Sequence, residues 1–202
     1  MEPIPIKLIL VGSLGVGKTS LIRKFYLKNS SNSLSKTIKG SSYIIIKKKV
    51  KHNNFVLQIW DTAGQEKFKS LSKLFTKNTK IAILVYSIDS EESFNELDEW
   101  LKLIVAGNDD RVIYGLAGNK SDLASENTIP DEKGLQYAKN IGAIFKSTSA
   151  ITENGGIEEF IDELFNKYID YKFNLEDASS KGSTLNRGMI RYSTSGKEKV
   201  CC

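Results

Sequence analysis

The stretch ILVGSLGVGKTS, Ile9 to Ser20, joins a short apolar run to a glycine-rich segment and leads into SLIRKFYL, whose apolar residues recur at helical spacing. Strand, glycine loop and helix therefore follow one another directly. Within it GSLGVGKT, Gly12 to Thr19, fits the pattern G-x-x-x-x-G-K-[ST] in the context that gives the pattern meaning. The glycines let the backbone N–H groups of Gly12, Ser13, Leu14, Gly15, Val16 and Gly17 curl around a phosphate chain, and the helix N-terminus that follows favours negative charge. Lys18 is the cation that reaches the β and γ phosphates, Thr19 is the hydroxyl that meets magnesium, and Ser20 completes the set of nucleotide-binding residues at this end. The loop does not choose between ATP and GTP.

The rest of the chain is read outward from this loop. YIIIKKKV and NFVLQIW, separated by HNN, form a hairpin-like pair of β-rich runs, and KIAILVYSI is a buried strand. EESFNELDEWLKLIV puts Phe94, Leu97, Leu101 and Ile104 on one helical face. A strand at RVIYGLAGN, a helix opening at Pro130, a strand at AIFKSTSA and a helix at GGIEEFIDELFNKYI complete the alternation. The expected fold is α/β: a mostly parallel six-stranded sheet with helices on both faces and one antiparallel hairpin strand at its edge. The domain is expected over residues 1–172, followed by a flexible tail over 173–202.

Two further motifs follow predicted strands. GNKSD, Gly118 to Asp122, offers an amide at Asn119, a lysine stem at Lys120 and a carboxylate at Asp122. A carboxylate accepts two hydrogen bonds from the ring N–H and exocyclic amine of guanine, and adenine presents no such pair of donors, so the base is read as guanine. WDTAGQE, Trp60 to Glu66, puts Asp61 where a carboxylate binds magnesium through water, Gly64 against the γ-phosphate, and Gln65 where an amide orients the attacking water.

Composition narrows the class. The chain has 202 residues, 40% hydrophobic and 26% charged, which suits one globular domain, and its longest apolar runs are strand-length. MEPIPIK lacks a basic, apolar leader, so no export signal is expected. The formal charge of +5 is spread out, without the aromatic-interleaved stripe of a nucleic-acid binder, and nucleic acid is not expected as a partner. One dense patch, Lys47, Lys48, Lys49 and Lys51, is read as solvating a hairpin or blunting a sheet edge. Cys201 and Cys202 are the only thiols, which excludes an internal disulfide framework; they are either an idle terminus or two lipid attachment points.

GSLGVGKT, WDTAGQE and GNKSD, in this order, resemble the small GTPases, and LQIWDTAGQEKF, LVY and the terminal Cys-Cys resemble the Rab family more closely, over about residues 6 to 170. The resemblance implies a monomeric GTP hydrolase that uses GTP/GDP and Mg2+ and switches between two states in vesicle trafficking. It implies that Thr37 closes over magnesium and the γ-phosphate, and that Ser149 and Ala150 contact the guanine. It implies geranylgeranyl groups on Cys201 and Cys202, a place on the cytoplasmic face of an intracellular or plasma membrane with a cytosolic pool, and exchange factors, GTPase-activating proteins, a GDP dissociation inhibitor and effectors as partners. The chain departs from the family pattern at Ser30, at Lys39 and Ser42 in TIKGSSY, at Phe75 to Thr79, and at Ile151. Leu14, where a small residue is usual, is expected to crowd Gln65 and slow hydrolysis. The alternative reading is a nucleotide-binding interaction protein with little or no hydrolysis.

Overall fold

The computed structural model describes residues 2–29, 33–38, 41–61 and 76–180, with backbone alone at 33–38, 41–42 and 176–180. The strands are β1 (Ile4–Val11), β2 (Ser33–Ile38), β3 (Ser41–Val50), β4 (Asn53–Asp61), β5 (Ile81–Ser87), β6 (Ile113–Asn119) and β7 (Ile144–Thr148). The helices are α1 (Lys18–Lys28), α2 (Glu91–Asn95), α3 (Leu97–Ala106), α4 (Asp131–Ile141) and α5 (Ile157–Ser180), with a short 3-10 turn at Ser121–Leu123.

The seven strands form one sheet in the order β2-β3-β4-β1-β5-β6-β7. β4, β1, β5, β6 and β7 are parallel, and β3 runs antiparallel to β4. These are the six strands expected. The antiparallel hairpin strand is not the edge, however, because β2 adds a seventh strand beyond it, pairing Ser33↔Ile46 through Ile38↔Ser41. Its sequence, SLSKTI, has little apolar content, so what makes it a strand is backbone pairing to β3 and not any periodicity of its own.

The apolar run of β5, IAILVYS, is buried at every position, as a central parallel strand covered on both faces must be. On one face Leu21, Ile22 and Phe25 of α1 and Phe160, Leu164 and Phe165 of α5 pack on Leu8, Leu57 and Ile83. On the other, α2, α3 and α4 bring Phe94, Leu97, Trp100, Ile104 and Ala138 against Ile9, Leu84 and Leu116. The four apolar residues assigned to one helical face are all buried, but the helix carrying them is two helices, broken at Glu96 with φ −77° and ψ −6°. α4 opens after Pro130 with Asp131 and Glu132 in its first turn, which favours the positive end of its dipole. α5 continues through Ser180, past residue 172, and Phe173 packs against the α1/α5 core. Residues 181–202, with Cys201 and Cys202, lie outside the described residues.

Candidate nucleotide site

The parallel strands deliver their successors to one edge. β1 ends at Val11 and passes into Gly12; β4 ends at Asp61, in register with Leu10; β6 ends at Asn119, paired with Ser87 on one side and Thr148 on the other. The phosphate loop, Asp61, the GNKSD segment and Ser149 therefore converge at the carboxyl ends of β1, β4, β6 and β7, with β5 between β1 and β6, where open α/β sheets bind ligands. Sequence order scatters these residues; the parallel crossovers gather them.

The loop has the curled backbone that the glycines were expected to permit. Gly12 has φ 148°, and a Cβ there would lie 2.1 Å from the carbonyl oxygen of Val85, so β1 and β5 leave no room for a side chain. Gly17 has φ 95°, and a Cβ would lie 2.3 Å from Nδ2 of Asn119. Lys18 opens α1, is only 4% exposed, and its Nζ donates to the carbonyl oxygens of Gly12 and Ser13, both at 2.8 Å. The ammonium thus sits across the loop. Thr19 and Ser20 are exposed in the first turn of α1, and Leu14 is 66% exposed.

Asn119 is 1% exposed and holds two parts of the site together. Its Nδ2 donates to the carbonyl oxygen of Val16 at 2.7 Å, and its Oδ1 accepts from the Thr148 hydroxyl at 3.2 Å. The amide of the base motif is therefore a strut between the phosphate loop and β7. Lys120 adopts φ 64°, which turns the chain out of β6, and its Nζ lies 3.4 Å from both carboxylate oxygens of Asp89. A hydrogen bond from the Ser87 hydroxyl, with Lys120 close by, holds the Asp89 carboxyl below its ordinary range. Gly118, the first residue of the motif, makes space: a Cβ would lie 2.8 Å from the buried hydroxyl of Tyr86.

Asp122 accepts a hydrogen bond from the Ser149 hydroxyl at 2.5 Å, and Ser149 Oγ accepts from the amides of Ile151 and Thr152 at 3.2 and 3.3 Å. One side-chain oxygen thus orders both the loop after β7 and the carboxylate expected to meet the base. Ala150, next to Ser149, is half-buried against the core.

Three positioning contacts had no motif to reveal them. Lys24 of α1 donates to the carbonyl oxygen of Ser149 at 3.1 Å and to that of Thr152, and Lys28 donates to the Glu153 carbonyl at 2.9 Å. The helix that begins at the phosphate loop so also holds the base loop. The Ser13 hydroxyl donates to the carboxylate of Glu96, tying the phosphate loop to the break between α2 and α3. Of these segments the sequence showed only the helical spacing, which carries no signal for either contact.

Magnesium binds hard oxygen donors, usually through a hydroxyl or a carboxylate with phosphate oxygens and water completing the shell. Thr19 and Asp61 fit that donor set: one is a hydroxyl in the turn after Lys18, the other a carboxylate at the β4 terminus beside β1. The backbone of Thr37 belongs to β2, and its side chain is outside the described atoms. Gly64, Gln65, Ser30 and Lys39 also lie outside the described residues.

A model of the Ras family matches residues 7–170. The chain is 31% identical to the Ras-related protein RABA1b of Arabidopsis thaliana over 200 residues, covering 97% of this chain and 92% of that protein. It is 34% identical to Ras-related protein Rab-31 of Mus musculus over 145 residues, 72% of this chain and 74% of the relative. Ras-related protein Rab-5A of Dictyostelium discoideum is 31% identical over 197 residues, 97% of this chain and 94% of the relative.

Proposed function

The chain belongs to the Ras family as a Rab-like small GTPase, and on that premise we propose that it is a magnesium-dependent GTP/GDP switch anchored to a membrane through Cys201 and Cys202. The observation that carries the reading is the strut at Asn119, because it makes the base-reading and phosphate-binding loops one unit. A nucleotide recognised at Asp122 is then presented in fixed register to Lys18. Phosphates meet the N-terminus of α1 and the amides of Gly12 to Gly17, while Lys120 and Ala150 flank the base and Asp122 takes its donors.

Thr19, Thr37 and Asp61 would hold magnesium, which when bound offsets charge on the β and γ phosphate oxygens. Gly64 meets the γ-phosphate and Gln65 orients water in this reading. GTP orders the segments around Thr37 and Gly64, effectors bind there, and hydrolysis releases them. Exchange factors, GTPase-activating proteins and a GDP dissociation inhibitor govern the cycle of a monomer in vesicle trafficking, on the cytoplasmic face of a membrane with a cytosolic pool. Two lipid groups give stable attachment where one gives only marginal binding, which accounts for the second cysteine.

The test is single-turnover hydrolysis of GTP by the full chain with magnesium. Cutting at residue 172 would remove Phe173 from the core and confuse the result. Leu14 lies in the loop where crowding of Gln65 slows hydrolysis, so Leu14→Gly is expected to raise the rate about ten- to hundredfold. An unchanged rate refutes the crowding, and no turnover in either protein favours a binding protein that scarcely hydrolyses GTP. For the anchor, Cys201→Ser with Cys202→Ser is expected to move the protein from the membrane to the soluble fraction of cells. Retention on membranes by that variant refutes lipidation as the anchor.

A further inference from the structure

The loop after β7 takes its backbone partners from another element. Ser149 donates its amide to the Gly155 carbonyl oxygen at 3.0 Å, which pinches residues 149–155 together. The carbonyl oxygens of Ser149, Thr152 and Glu153 are taken up from outside, by the ammoniums of Lys24 and Lys28. These lysines stand four residues apart, which puts them one above the other on the same face of α1. Gly155 makes the approach possible: a Cβ there would lie 2.5 Å from Lys24 Nζ and 1.8 Å from the Ser149 carbonyl oxygen. Lys28 Nζ also lies 3.6 Å from the Glu158 carboxylate in the first turn of α5, so it is held from the far side of the loop.

The same loop carries the hydroxyl that meets Asp122. Ser149 gives its hydroxyl to Asp122 and its carbonyl oxygen to Lys24, while Thr152 gives its amide to Ser149 Oγ and its carbonyl oxygen to Lys24. The contacts therefore run without a gap from α1 to the carboxylate expected to read the base. Hydrogen bonds from an ammonium are roughly twice as strong as those between neutral groups, so the lysines weigh more in placing the loop than its own amide contacts do.

We propose that Lys24 and Lys28 are positioning residues for the guanine base: by fixing the carbonyl oxygens of the loop they hold Ser149, and through it Asp122, where the carboxylate accepts from the exocyclic amine as well as from the ring N–H. The inference rests on the reading of Asp122 as the guanine acceptor. Two parallel bonds to a planar base tolerate less displacement of the carboxylate than one does, so the lysines supply selectivity as well as affinity. Hypoxanthine is the discriminating base, because it keeps the ring N–H and lacks the exocyclic amine.

The experiment loads the full chain, with magnesium, with GDP or with IDP and follows release after a chase with excess GTP, since affinity differences between related complexes lie mainly in dissociation. The parent is expected to release IDP about ten- to hundredfold faster than GDP, the worth of one charge-assisted bond. Lys24→Met keeps the stem and removes the ammonium. It is expected to speed GDP release about tenfold and IDP release by less than about threefold, so that the ratio narrows, as displacement of a positioned group by about an ångström implies. Lys28→Met, which frees one carbonyl oxygen instead of two, is expected to narrow the ratio about twofold. Arg23→Met, exposed on the same helix, removes the same charge and is expected to leave the ratio as it is. In an Asp122→Ala background, measured by competition titration, Lys24→Met is expected to change the ratio no further, because both act through one carboxylate.

A parent that releases GDP and IDP at one rate overturns the reading of Asp122 and this proposal with it. A parent that discriminates, with its ratio intact in both lysine variants, overturns the proposal alone. An equal rise for GDP and IDP, an equal effect of Arg23→Met, or further narrowing without Asp122 also overturns it and leaves the lysines with a structural role only. If a thermal melt shows Lys24→Met unfolded at the working temperature, Lys28→Met decides on the same ratio, and an unchanged ratio there overturns the proposal.

Discussion

Replacing Asp122 by alanine is expected to weaken GTP binding by about 10^2- to 10^4-fold while leaving the weak binding of ATP unchanged. A carboxylate that accepts from both the ring N–H and the exocyclic amine of guanine makes two charge-assisted bonds, each worth about 1.5–3 kcal/mol. The variant loses both, and the Ser149 hydroxyl loses its 2.5 Å acceptor at the same time. Ser149 still accepts from the amides of Ile151 and Thr152, so the loop after β7 keeps part of its order. Most of the loss therefore falls on the base and little on stability. Competition titrations with GTP and ATP, alongside a thermal melt, measure the two effects separately. A loss below tenfold, or an equal loss for both nucleotides, would mean that Asp122 does not read the base.

Lys18→Ala is expected to reduce nucleotide affinity by about 30- to several thousandfold, and Lys18→Arg to rescue little of it. Removing one partner of a buried, hydrogen-bonded charge pair costs about 2–5 kcal/mol, which sets the range. The ammonium is 4% exposed and bonded to the Gly12 and Ser13 carbonyl oxygens, so its slot is narrow and the loop supports it in place. A planar guanidinium does not fit a site built around a compact ammonium. The readout is the affinity for GDP and for guanosine compared: the loss is expected for the diphosphate and not for the nucleoside. A matching loss for guanosine would mean that the variant has disturbed the loop as a whole and that Lys18 holds structure, not phosphate.

Much of this was written locally in the chain. Gly12 to Thr19 could be read as a phosphate loop because binding of that kind uses backbone amides of one continuous loop and the N-terminus of one helix, so a short pattern carries the chemistry. GNKSD likewise holds its amide, lysine and carboxylate within five residues. The apolar run of β5 showed its double burial by being apolar throughout, and Phe94, Leu97, Leu101 and Ile104 showed their core face by spacing. The break at Glu96 left no such mark, because its neighbours continue the same helical period on both sides. β2 left none either, since SLSKTI draws its structure from a neighbour's backbone and not from its own side chains.

What the sequence by itself determined was the order of six of the seven strands, the glycine loop and the guanine motif as expectations, and membership of the Ras family. Tertiary structure alone decided that Asn119 braces Val16, that Lys24 holds the Ser149 loop, and that Ser13 reaches Glu96. The physical reason is the distance in sequence. Local motifs act through contiguous backbone, whereas these contacts join segments 83 to 125 residues apart. Their geometry follows from the register of a parallel sheet and the helices that cross it, which no short stretch of the chain contains.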